Sequence, residues 1–183
     1  MKKATVLILL GLLSTFLAAE DRFMITASAN VLAPADSGYK DIYGGRIFFP
    51  QAKLAFRFYD GFIVWAGYSY IKATGKTSVF QANAKSTQNF LSFGAGYRGA
   101  FSETFSWQLD AGLVNFAYKE EALGETASGS ALGFSVGGTV FCVLWKIIVL
   151  EAEAGYLYGK DTINGTAIKL GGLRGGLGLG LRF

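Results

Sequence analysis

The segment that most narrows what this chain can become is its last, Leu170 to Phe183, reading LGGLRGGLGLGLRF. Leu173, Leu177, Leu179, Leu181 and Phe183 take odd positions, with one gap at Gly175, while Gly172, Arg174, Gly176, Gly178, Gly180 and Arg182 take even ones. Side chains on a strand alternate faces, so this is a strand with one greasy face and one bare, basic face.

The same alternation recurs upstream. Strands are expected over residues 22–32, 45–58, 62–72, 88–100, 105–119, 131–144, 147–160 and 170–183. In the fourth, for example, Leu91, Phe93, Ala95 and Tyr97 oppose Ser92, Gly94, Gly96 and Arg98. The third is ambiguous, because Phe62, Val64, Ala66, Tyr68 and Tyr70 oppose Ile63, Trp65, Gly67 and Ser69, so that both faces carry apolar groups. Short turns are expected at Tyr59-Asp60-Gly61, Phe101 to Thr104 and Trp145-Lys146. They alternate with long polar connections around Pro34 to Asp41 and over 73–87, 120–129 and 161–169, the last containing Asn164-Gly165. Eight strands of this length suffice to cross a bilayer when tilted, and an even number places both termini on the side of the short turns.

Composition agrees with a membrane setting. Of 183 residues, 51% are hydrophobic and only 16% charged, yet the sole long apolar run is N-terminal, which excludes a helical membrane bundle. That run follows Lys2 and Lys3, spans Ala4 to Leu17 and ends in Ala18-Ala19-Glu20, the arrangement of a secretory signal peptide over residues 1–19. Residues 20–183 then form one domain. No Cys stands near the cleavage point, which argues against a lipoprotein. Removing Lys2 and Lys3 from the 17 basic residues leaves 15 against 13 acidic ones, so the mature chain is nearly neutral and its charge does not argue for nucleic acid. The single cysteine, Cys142, allows no internal disulfide.

Eight alternating strands also suit a soluble up-and-down barrel with its greasy face inward. Three features favour lipid instead. The polar face is mostly Gly, Ser and Ala, a poor solvated surface. Aromatic residues gather at both strand ends: Phe58, Tyr59, Phe62, Phe101, Phe105, Trp107, Trp145 and Phe183 near the short turns, and Tyr43, Phe48, Tyr68, Tyr70, Tyr156 and Tyr158 toward the long loops. Such bands are the girdles of the two lipid–water interfaces. Closure of the sheet, finally, satisfies every backbone group in lipid. The expected fold is all-β, an eight-stranded antiparallel up-and-down transmembrane β-barrel.

The signal peptide, the eight strands and a final Phe183 preceded by Leu181, Leu179 and Leu177 at alternate positions resemble the small outer-membrane barrels typified by OmpA and OmpX. The resemblance covers the whole mature chain, by pattern rather than by a sequence fingerprint. It implies an outer-membrane location with both termini periplasmic, and a terminal strand similar to the signal that the barrel-assembly machinery reads. Leu stands where that family often has Tyr, and Gly175 interrupts the pattern further up. Outer-membrane lipids are the expected partners and a monomer the expected state.

Residues able to carry chemistry fall into three sets. Arg22, Lys53, Arg57, Arg98, Asp110, Glu151, Glu153, Arg174 and Arg182 share the inner face, where charge is tolerable only if paired or wet. They read first as an ion-pair network plugging the lumen, and second as the lining of a narrow path for ions or small solutes. Gly94, Gly96, Gly112, Gly133, Gly137, Gly155, Gly172, Gly176, Gly178 and Gly180 also point inward by parity. They serve close coiling of the strands in preference to an open channel, and long Arg and Lys chains, with Trp65, fill the space. Arg46, Lys72, Lys119, Lys160 and Lys169 face outward at the loop-side rim, where cations meet lipopolysaccharide phosphates or simply snorkel. There is no His in the chain, which removes His-based triads and most metal sites; no cofactor and no enzymatic activity are expected, a lipid A acyltransferase or deacylase included. The expected role is a non-catalytic envelope protein, acting through integrity of the membrane or through its loops, with a narrow porin-like channel as the alternative.

Overall fold

Alternation with period two drives the chain into long strands whose greasy faces all turn the same way. The structure is a computed structural model and describes residues 22–77, 80–163 and 165–183. The signal-peptide segment and Asn164 of the last turn therefore lie outside the described residues. Eight strands run in order: β1 (Phe23–Pro34), β2 (Ile47–Tyr59), β3 (Phe62–Lys76), β4 (Asn83–Ala100), β5 (Phe105–Ala122), β6 (Glu125–Trp145), β7 (Ile148–Ile163) and β8 (Thr166–Arg182), with one helix, α1 (Ser37–Tyr43), between β1 and β2. Each strand pairs antiparallel with its sequence neighbours, and β1 pairs with β8 from Met24↔Arg182 to Pro34↔Gly172, which closes the barrel. The ends are tied further by a reciprocal pair of bonds: Phe183 N donates to Phe23 O at 2.8 Å and Phe23 N to Phe183 O at 3.0 Å.

The outer face is apolar. Ile25, Leu54, Val64, Leu91, Phe93, Leu109, Leu113, Leu132, Val136, Leu177 and Leu179 are all exposed, a continuous belt far larger than the apolar patches water-soluble monomers carry. The shortest strand has 12 residues, more than the roughly 9–11 a tilted strand needs to cross hydrocarbon. The belt is a lipid-facing surface. The ambiguous third strand resolves the same way: Ile63 and Trp65 are buried inside while Phe62, Val64, Tyr68 and Tyr70 face out.

The structure departs from the sequence reading on the loop side. Residues expected as long polar connections at 73–87, 120–129 and 161–169 are mostly strand, because β3 to β8 continue past the lipid belt as paired ladders. β6 alone spans 21 residues. Loss of apolar side chains there marks where the sheet leaves the membrane, and main-chain hydrogen bonding carries the strands on. β5 and β6 are joined by only Leu123 and Gly124, at φ 55° and 81°, the left-handed geometry of a two-residue hairpin turn. The connection after Pro34 contains α1, whose N-cap Asp36 accepts from Tyr39 N at 3.1 Å. Nothing in the period-two pattern signalled that helix.

Inward glycines let strands and side chains approach closely. A Cβ on Gly133 would fall on the carbonyl oxygen of Tyr158 and come within 2.7 Å of the Phe116 ring. At Gly137, by contrast, the nearest atom would be Ala154 O at 3.4 Å. Coiling thus accounts for Gly133, and for Gly94 and Gly112, whose added Cβ atoms would meet facing carbonyls. We expect Gly133→Ala to destabilise the barrel by about 1–3 kcal/mol through overpacking, and Gly137→Ala to change stability by much less, as measured by urea unfolding in lipid vesicles.

Candidate functional site

The inside of the barrel is stratified. Toward the loops lies an apolar layer of Leu32, Ile47, Phe49, Ile71, Phe90, Val114, Phe116, Leu157 and Leu170, with Phe90 stacked edge-on against Phe116 at 4.9 Å and Phe49 at 6.4 Å. Toward the short turns lies a second, of Met24, Ala55, Ile63, Trp65, Phe141 and Val149. Between them sit most of the buried polar groups.

At the centre of that middle layer, Glu153 accepts from Lys53 Nζ at 3.3 Å and pairs with Arg174 Nη1 at 3.2 Å. Lys53 also reaches Asp110 at 3.9 Å and lies 5.5 Å from the Trp65 ring centre. Arg174 donates to Gln51 Oε1 at 2.6 Å, and Ser28 donates to Glu153 Oε1 at 3.2 Å. Arg98 joins indirectly: its Nη2 donates to Gln108 Oε1 at 2.7 Å, and Gln108 Nε2 donates to Asp110 Oδ2 at 2.7 Å. Its guanidinium stacks 4.8 Å from the Phe141 ring centre. Glu151 occupies the next inward position below Glu153, packed over Gly178 beside a void of about 10 Å³, room for about one water. Lys53 and Arg174 thus face Asp110 and Glu153 in one neutral set, the condition under which charge is bearable away from water, with Arg98 and Glu151 at its edge.

The other sequence-predicted inner charges sit apart. Arg57 and Arg182 line a cavity of about 220 Å³ at the short-turn mouth, together with Arg98. Arg57 is four residues beyond Lys53, and Arg182 four beyond the partner of Glu151, roughly 13 Å along a strand and too far for the same contacts. Arg182 Nε donates instead to Lys146 O at 2.9 Å. Arg22 is exposed at the start of the barrel. On the terminal strand, Leu177, Leu179 and Leu181 face lipid and Phe183 is half-buried.

At the rim, Arg46, Lys72, Lys119, Lys160 and Lys169 are all exposed. Lys119 is paired with Glu121 at 2.5 Å, and Lys160 stands directly opposite Lys169 across β7 and β8.

Sequence reasoning passed over one further cluster, above the upper apolar layer. There Tyr43 and Ser86 each donate to Glu120 at 2.5 Å, and Tyr39 donates to Ser86 at 3.0 Å. Glu120 lies three residues beyond the row of Tyr70, Asn89 and Ala117, so it stands outside the lipid belt. Burial raises its carboxyl above the ordinary range, against the lowering hydrogen bonds from Ser86 and Tyr43. Burial likewise pushes the Tyr39 hydroxyl up to about 12. The signal was available only in part: Glu120 falls in a polar stretch, and its partners come from a helix and strands remote in sequence.

No family model matches the chain, and no curated protein matches it. Solved structures do. The chain is similar to OprG of Pseudomonas aeruginosa, with a TM-score of 0.71 at 10% identity over 89% of this chain and 96% of that one. It is similar to Neisserial surface protein A, with a TM-score of 0.61 at 20% identity over 88% and 97%. It is also similar to Ail, the attachment invasion locus protein of Yersinia pestis, with a TM-score of 0.59 at 18% identity over 90% and 99%. The fold is that of the small eight-stranded outer-membrane β-barrels.

Removing one partner of the central cluster leaves buried charge uncompensated. We expect Lys53→Met to destabilise the folded barrel by about 3–5 kcal/mol, read as a lowered urea midpoint in lipid vesicles with the denaturant slope unchanged.

Proposed function

We propose that this chain is a non-catalytic integral protein of the outer membrane that seals its own lumen and acts through its outer surface, by supporting the envelope or by presenting its loop-side ladders. One observation carries the reading: a charge cluster neutral in itself lies between two layers of packed apolar side chains. A hydrated ion moving along the axis would have to shed water at Phe90 and Phe116, cross a set of groups already engaged with one another, and shed it again at Ile63 and Phe141. The narrow-channel alternative has no comparable support, since the inward glycines other than Gly137 are taken up by close packing.

The setting follows from the same features. The lipid-facing belt and the likeness in fold to outer-membrane barrels support an outer-membrane location. The even strand number, with Phe23 and Phe183 bonded side by side, supports both termini lying on the periplasmic side with the short turns. A closed sheet leaves no open edge, which supports a monomer. Leu177, Leu179, Leu181 and Phe183 would be what the barrel-assembly machinery reads. Like charges directly opposite on a sheet repel, so Lys160 and Lys169 gain from an anion between them. A lipopolysaccharide phosphate is the anion that this rim would meet.

The purified barrel, refolded into planar bilayers, is expected to give no reproducible single-channel conductance above the lipid background. Steady openings of uniform size would contradict the sealed lumen.

A further inference from the structure

The loop-side mouth of the barrel holds a cavity of about 400 Å³ beneath α1. Its walls are largely apolar, from Leu32, Ile42, Ile163, Ile168 and Leu170, and Gly38, Tyr39, Ile42 and Tyr43 of α1 form one side of it. Below it, Phe90, Phe116 and Leu157 close the way down the barrel. The chamber is a dead end: something can lodge in it without passing through.

Its polar lining is unbalanced. Glu120 faces the cavity and is held by neutral donors, the hydroxyls of Tyr43 and Ser86. Among the described residues no Lys or Arg forms an ion pair with it; the neighbouring Glu121 takes Lys85 and Lys119 instead. Asp36 also lines the space, its carboxylate accepting from the backbone N of Tyr39 and of Lys169, and Lys169 is the one ammonium among the lining residues described. Tyr118, beside Glu120, gives its hydroxyl to Asp161. Carboxylates therefore outnumber cations around an apolar chamber of a size that takes small organic molecules.

We propose that this chamber is a binding site for a small organic cation with an apolar body, its amine against Glu120 and its hydrocarbon part against Ile42, Ile163, Ile168 and Leu170. An ammonium there replaces the missing counter-charge of a half-buried carboxylate and forms a charge-assisted hydrogen bond with it. An apolar body of about ten carbons fits within the cavity beside α1. A carboxylate ligand of the same shape meets Glu120 and Asp36 with like charge. The site stands whether or not the lumen beneath it conducts.

The test uses the barrel in phosphatidylcholine nanodiscs with labelled isoleucine methyl groups, titrated with 4-phenylbutylamine, 4-phenylbutanol and 4-phenylbutyrate. Empty nanodiscs give the partition into lipid. The amine is expected to shift the Ile42, Ile163 and Ile168 signals saturably and to bind about tenfold more tightly than the alcohol, as one charge-assisted hydrogen bond provides. The butyrate is expected not to bind. Glu120→Gln should bring the amine down to the affinity of the alcohol, and Glu121→Gln should leave it unchanged. Equal affinities for amine and alcohol in the wild type would overturn the proposal without recourse to any variant. So would saturation by none of the three, or an amine preference that survives Glu120→Gln.

Discussion

Hydrocarbon offers no hydrogen bonds, so each backbone N–H and C=O that crosses it must be satisfied within the protein. Pairing of β1 with β8 meets that demand here, and the rest of the structure follows from it. Once the sheet is closed with only eight strands, the interior is narrow, and inward side chains must share it. Glycine at positions such as 133 and 94 is then a consequence of closure, where facing carbonyls leave no room for a Cβ. The greasy outward face and the crowded inward face are two results of one constraint.

Closure also explains how charge survives at the centre of the molecule. Lys53, Asp110, Glu153 and Arg174 come from four different strands; Glu153 and Arg174 are neighbours across β7 and β8, and closure of the barrel brings Lys53 of β2 within 4 Å of both Glu153 and Asp110 of β5. Gln51, Gln108 and Ser28 add hydrogen bonds to Arg174, Asp110 and Glu153, while Asp110 Oδ1 and Arg174 Nε are held by charge alone. The apolar layers above and below isolate it from bulk water and strengthen each contact. The polar middle is thus a rigid core in its own right, where a soluble protein of this size would have leucine and isoleucine.

Much of this was legible in the chain. Period two told inside from outside at nearly every position, including Leu177, Leu179 and Leu181 facing lipid and Lys53, Glu153 and Arg174 facing in, because a one-residue slip would have turned every greasy side chain into the lumen. Less legible was which inward charges meet. Arg57 and Arg182 share the inner face with the cluster but stand four residues further along their strands, and strand stagger, which sets that spacing, leaves no mark on composition. The loop-side ladders at 120–129 and 161–169 were hidden because polar strands in water keep their hydrogen bonds without keeping an apolar face. α1 and the Glu120 cluster were hidden for another reason: a two-turn helix is held by tertiary contacts from Tyr39 and Tyr43 more than by its own propensity.

The central claim is that the middle of the lumen is closed to water-borne solutes from both sides. Ser135, 1% exposed, stands opposite Leu157 and one inward position from Gly137 beside the charge cluster, whereas Ser102 lies exposed at a short turn. With Cys142 replaced by Ala, a single cysteine introduced by Ser135→Cys or Ser102→Cys can be challenged in lipid vesicles with a small membrane-impermeant methanethiosulfonate applied to both faces. The account predicts rapid labelling at position 102 and none at 135 until the barrel is unfolded. Labelling of position 135 in the folded protein, at a rate approaching that at 102, would contradict it.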